Sequence, residues 1–145
     1  MVSGNGQRGR GLHPFLEELR SLDLPGGDFV VFGSGPLLVR GWITDVSDLD
    51  VVARGAAWTR AQELGTAEFL EEWDVSVVNI GRNITVGTRW AIGDVDTGAL
   101  IDGAELVEGL PFANLAAVVA YKRIAGRRKD RVHLEIIEHH LPDEF

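Results

Sequence analysis

Cysteine is absent from the 145 residues, which excludes a disulfide framework and a thiolate metal site and fits a reducing, cytoplasmic setting. Long apolar runs are missing too. The richest stretch, Leu110 to Tyr121, is interrupted by Pro111 and Asn114 and falls short of the ~20 residues that span a bilayer, so a soluble protein without a membrane partner is expected. The segment Met1 to Gly11 is glycine-rich and basic but has no apolar core, so it reads as a loose tail and not as a signal peptide. Positive charge is the third scarcity: 14 Lys and Arg stand against 22 Asp and Glu, a net charge of −8. A general nucleic-acid binder needs the opposite balance.

The few basic residues are unevenly spread. Six of them lie between Lys122 and Arg131, including both lysines of the chain, so one positive site on an acidic body points to a small anionic ligand. With 45% hydrophobic residues the chain suffices for one core, giving a single domain over residues 12–145 behind the tail of residues 1–11.

Local patterns predict the elements. Phe15, Leu16, Leu19 and Leu22 recur at helical spacing within His13 to Leu22. Phe29 to Phe32 is a continuously apolar strand between glycines, followed by a short helix from Pro36 to Arg40 and a loop from Gly41 to Ser47. Asp48 to Ala53 reads as a strand and Ala57 to Glu72 as a helix broken near Gly65. Val75 to Ile80 and Ile84 to Trp90 form a hairpin, a short helix lies near Thr97 to Asp102, and Leu106 to Leu110 adds a brief edge strand. Asn114 caps a helix that Gly126 ends, and Lys129 to Leu141 forms the last helix, with Val132, Ile136, Ile137 and Leu141 on its apolar face. Together these predict an α/β (α+β) domain: a small mixed β-sheet flanked by helices, with a C-terminal helical pair.

One arrangement carries chemistry. The strand Phe29 to Phe32 delivers Gly33-Ser34-Gly35, whose backbone and hydroxyl can approach phosphate oxygens, with the short helix behind directing its positive end inward. Thirteen residues later comes Asp48-Leu49-Asp50-Val51, with both carboxylates on one face of a strand. Such a pair repels unless a cation sits between, and one or two Mg²⁺ ions there would bridge a triphosphate.

Phe32-Gly33-Ser34, the thirteen-residue gap and Asp48-Leu49-Asp50-Val51 resemble the signature of the polymerase-beta-type nucleotidyltransferase superfamily. Leu115 through Tyr121-Lys122, then Ala125-Gly126-Arg127-Arg128-Lys129-Asp130, resembles the ending of its minimal bacterial members, including abortive-infection-type toxin nucleotidyltransferases. The resemblance implies a nucleotidyltransferase-like fold that transfers a nucleoside monophosphate from an NTP to a hydroxyl acceptor, whether a small molecule, a protein or an RNA end. It implies Mg²⁺ on Asp48 and Asp50 and nucleotide contacts from Gly33, Ser34, Lys122, Arg127 and Lys129, with an antitoxin as further partner. The domain is too small for a separate acceptor-binding lobe, so the acceptor is small, is held by a homodimer mate, or is a protein or RNA end.

Two departures qualify it. The family generally places a third carboxylate on a later strand, and Ile84 to Trp90 contains no acid; Asp96, Asp94 and Asp74 are the candidates, Asp96 preferred as the catalytic third. His133 occupies the position where a second acid usually follows the Lys-Asp pair. A catalytically silent nucleotidyltransferase-fold module, binding nucleotide or protein as a regulator, is the alternative. Lys122 reads either as a phosphate contact or as a snorkelling side chain, and Trp42 either as core or as a base-stacking platform. His133, His139 and His140 lack partners for a zinc site. An Arg128-x4-His133 helical ribonuclease pattern conflicts with the strands.

Overall fold

Strand β1 (Phe29–Phe32) is buried along its whole length because both of its faces are covered. Phe29 and Val31 join a core under helices α1 (Pro14–Ser21) and α3 (Gly55–Leu64), whereas Val30 and Phe32 join a second core under α4 (Thr97–Asp102) and α5 (Leu115–Ala125). That two-sided burial is why four apolar residues run without alternation. A computed structural model describes residues 11–142, so nearly all of the expected tail, residues 1–10, lies outside the described residues.

The chain continues through α2 (Gly35–Val39), β2 (Leu49–Ala53), α3 (Gly55–Leu64), β3 (Ala67–Leu70), β4 (Val75–Ile80), β5 (Ile84–Gly87), α4 (Thr97–Asp102), β6 (Glu105–Val107), β7 (Leu110–Phe112), α5 (Leu115–Ala125) and α6 (Arg128–His140). The seven strands make one mixed sheet in the order β3-β4-β5-β2-β1-β7-β6. β2 is antiparallel to β1 and parallel to β5, and β7 runs parallel to β1. The architecture is α+β, a mixed sheet flanked by helices and closed by the C-terminal pair α5 and α6. Among the described residues no helix is long and apolar enough to cross a membrane.

Caps fall where the sequence places them. The Asn114 side chain accepts from the Ala117 amide at 2.9 Å, and Gly126 closes α5 at φ +59°. This left-handed residue turns the chain directly into α6.

The differences are at edges and in one helix. The helix expected over Ala57 to Glu72 ends at Leu64; beyond Gly65 the chain is extended, and Ala67–Leu70 pairs with β4 as the edge strand β3. Its exposed residues carry no strand alternation to read. The single edge strand expected over Leu106 to Leu110 is a hairpin, with Glu108 and Gly109 both at positive φ between β6 and β7. β5 stops at Gly87 short of Trp90, and Asp48 stands one residue before β2. Val132 is exposed, and α6 instead buries Asp130 and Ile137.

Candidate active site at the meeting of β1, β2 and α6

The antiparallel register of β1 and β2 sets Phe32 opposite Asp50, so the turn after β1 and the start of β2 lie side by side. Gly33 makes this approach possible. Its φ is +62°, and a Cβ on it would lie 2.8 Å from Asp50 Oδ2. Gly33→Ala therefore strains the backbone and collides with the carboxylate. We expect a loss of about 1–3 kcal/mol in chemical denaturation and a displaced Asp50.

Ser34 precedes α2 without capping it. Its Oγ lies instead 3.3 Å from Lys122 Nζ and 3.4 Å from His133 Nδ1, tying the turn to α5 and α6. α2 has five residues, so little of a helix dipole is available and the polar side chains must supply most of the anion affinity.

Above this turn is an open cavity of about 200 Å³ lined by Ser34, Asp45, Val46, Ser47, Asp48, Asp50, Lys129 and His133. Both motif aspartates line it. Burial, and then the neighbouring charge of Asp48, push Asp50 up to about 6 from 3.8, although Lys129, Arg127 and Lys122 pull the other way. A carboxylate held in this state gains from a divalent cation that replaces its proton. Mg²⁺ characteristically takes one or two protein carboxylates and completes its shell with water and substrate phosphates, so Asp48 and Asp50 fit it. Among the described residues no three His, Asp or Glu side chains converge as a ready-made metal cage.

The basic residues divide into two layers. Lys129 lines the cavity, whereas the fully buried Lys122 and the half-exposed Arg127 are not part of its lining. Lys122 is fully buried, which rules out the snorkelling account; its ammonium is shared between Asp130 Oδ1 and Ser34 Oγ, both at 3.3 Å. Arg127 donates through Nε to Asp130 Oδ2 at 2.6 Å and through Nη2 to Tyr121 Oη at 2.8 Å. Asp130 also accepts the Arg127 amide at the start of α6. Burial raises the Asp130 carboxyl, but the hydrogen bonds from Arg127 together with Lys122 outweigh it and bring it to about 2. Desolvation lowers Lys122, and burial together with the Lys122 charge lowers His133 to about 4, leaving a neutral imidazole in the cavity wall at neutral pH.

None of the acids expected as the third carboxylate (Asp96, Asp94, Asp74) lines this cavity, where Asp45 stands as the third acid instead. Asp96 caps α4, its Oδ1 accepting from the Ala99 amide at 3.1 Å. That helix is held at the other end of the β1–β2 pair, where Arg54 donates to Asp102 at 2.6 Å and to the Gly98 carbonyl at 3.5 Å. Arg54 stands four residues along from Asp50, about 13 Å at strand rise. Asp94 and Asp74 are exposed and outside the lining as well. On β5 the residue paired with Asp50 is Thr85, whose hydroxyl donates to Asn79 Oδ1 at 2.9 Å.

Two acids escaped the sequence reading. Asp45 reaches the cavity from the loop before β2, three residues ahead of Asp48. Asp130, the buried partner of Lys122, was visible only as half of a Lys-Asp pair. Trp42 stacks on His140 at 4.4 Å and is absent from the cavity lining, so it does not serve as a base platform there.

No known protein family, curated protein or solved structure matches the chain.

Proposed function

We propose that the protein is a minimal Mg²⁺-dependent nucleotidyltransferase of the polymerase-beta type, working in the cytoplasm in a toxin–antitoxin or phage-defence setting. The observation that carries this reading is the pairing of Asp48 and Asp50 in one cavity with Ser34 and Lys129. Ser34 and the Gly33 backbone contact phosphate oxygens, and Lys129 offsets their charge. Lys122 orients the Ser34 hydroxyl from behind, and His133, neutral, accepts from or donates to the same oxygen. Asp48 and Asp50 would hold one or two Mg²⁺ ions, which would supply neutralisation of the charge developing on the triphosphate. The acceptor hydroxyl displaces pyrophosphate at the α-phosphorus.

The decisive measurement is incubation with each α-labelled NTP, Mg²⁺ and cell extract. Label is expected in an acceptor with at least one NTP and none after chelation. Persistent absence of product with every NTP, under Mg²⁺ or Mn²⁺, sinks the enzyme reading. A second reading, a silent nucleotidyltransferase-fold regulator, draws on Thr85 standing beside Asp50 where an acid would complete the site. It predicts Mg²⁺-dependent NTP binding without any labelled product.

A further inference from the structure

Asp50 stands in the wall of two hollows. Besides the polar cavity it borders a second, of about 180 Å³, on the half of the sheet formed by β2, β4, β5 and the end of β3, with no residue of any α-helix in its lining. The character of this second hollow is opposite. Leu70, Trp73, Val75, Val77, Trp90 and Ile92 make it apolar, with Thr85 next to Asp50 on its floor.

One aromatic wall is packed into the core and the other is half exposed. Trp90 packs at 4.6 Å from Phe32 and 4.8 Å from Tyr121, with its indole N–H buried and unpaired among the described residues. Trp73 is half exposed on a turn that Arg89 ties down, donating to the Trp73 carbonyl at 2.7 Å and to the Asp74 carbonyl at 3.3 Å. Arg89 is the lone cation of the lining, and those two carbonyls engage one arm of its guanidinium. Triphosphate is therefore disfavoured here and favoured beside Lys129, on the other side of Asp50. The volume falls below the roughly 300–1,000 Å³ of drug-sized sites, which suits a fragment-sized group.

We infer that this hollow is the acceptor subsite of the proposed transfer, taking a small uncharged hydroxyl compound, or the side-chain end of a larger one, with an aromatic or aliphatic body. The inference rests on the nucleotidyl-transfer reading. The body lies between Trp73 and Trp90, and the hydroxyl lies beside Asp50 and Thr85, facing the α-phosphate. The acceptor oxygen bonds to the α-phosphorus, the bond from that phosphorus to the β-bridging oxygen breaks, pyrophosphate leaves with the electron pair, and the hydroxyl proton passes to solvent.

The test uses 2-phenylethanol as probe and glycerol as the polar control, on the full chain. Gly87→Leu fills the hollow: a Cβ there meets the Arg89 carbonyl oxygen at 3.4 Å and Val75 and Val77 at 3.6 and 3.7 Å, contacts at the edge of or within the ordinary range. The probe is expected to quench tryptophan fluorescence saturably, glycerol not, and with α-labelled NTP and Mg²⁺ the probe becomes labelled. Gly87→Leu should weaken the probe by about tenfold or more while leaving Mg²⁺–NTP affinity within about twofold. Trp73→Ala, at an exposed side chain, provides the same comparison should Gly87→Leu fail to fold. Equal probe affinity in wild type and both variants, or no saturable binding, overturns the inference. Loss of NTP affinity in both variants overturns it differently, by assigning the hollow to the nucleobase. Probe binding without any Mg²⁺-dependent NTP binding to the wild type sinks the nucleotidyl-transfer reading, and the acceptor role with it.

Discussion

Asp50→Asn is expected to abolish nucleotidyl transfer and, at neutral pH, to make the protein more stable. If Asp50 holds Mg²⁺ as proposed, its loss removes several kcal/mol of transition-state stabilisation, about three orders of magnitude in rate. The stability gain has a separate origin. Burial and Asp48 hold the Asp50 carboxyl at about 6, above its ordinary 3.8, so the folded state binds this proton more tightly than the unfolded chain does. A group raised in this way favours the fold at low pH and loses that contribution as pH rises from about 4 through about 6. The ionised carboxylate at neutral pH thus costs about 2–3 kcal/mol, which the uncharged amide does not incur.

His133 works in the opposite sense across nearly the same window. Its imidazole is held at about 4, below its ordinary 6.5, so its contribution is present above the ordinary value and is lost as pH falls toward 4. The wild-type profile is consequently flattened between the two. The readout is the difference in melting temperature between Asp50→Asn and wild type, which should grow as pH is raised from 4 to 6 and level off above it. Mg²⁺ with NTP should raise the melting temperature of wild type and leave that of Asp50→Asn unmoved.

Asp130→Ala is expected to be the most damaging single change to the fold. It leaves the fully buried Lys122 ammonium without its carboxylate, leaves the Arg127 guanidinium with its Tyr121 hydroxyl contact but no carboxylate, and removes the cap on the α6 amide. Breaking a buried pair from one side costs about 3–5 kcal/mol, and loss of a cap about 1 kcal/mol. Against a typical total of about 5–15 kcal/mol, much of the chain would be unfolded at physiological temperature. Lys122→Met should be milder, because Asp130 keeps its three hydrogen bonds from Arg127. The double variant Lys122→Met with Asp130→Leu should recover a large part of the loss, because no buried charge remains unpaired. Urea unfolding of the single and double variants gives the coupling directly. With Asp130 held at about 2, this contribution is present above its ordinary 3.8 and is lost as pH falls from there through about 2, so acid unfolding should set in over that window.

Much of the site was legible because its parts are local. Gly33 and Ser34 follow a strand that only a two-sided core explains, and Asp48 and Asp50 alternate with buried Leu49 and Val51. Asn114 and Gly126 mark the ends of α5 by chemistry that depends on neighbouring residues alone. The edge strands were not legible for the same reason inverted. Ala67–Leu70 is exposed and takes its conformation from pairing with β4, an interaction its own side chains do not encode.

By itself the sequence determined the α+β class, the strand that carries the glycine turn, the aspartate pair and the helical ending, since each is set by periodicity, caps and two-residue spacing. Only the tertiary structure decided which charges meet. Lys122 and Asp130, eight residues apart on either side of Gly126, become a buried pair because α5 and α6 pack together; Asp96 is carried to the far end of the sheet by α4, and Thr85 is set beside Asp50 by the parallel pairing of β2 and β5. Burial and partners depend on contacts between segments distant in the chain, and these, more than residue type, set the protonation of Asp50, Asp130 and His133.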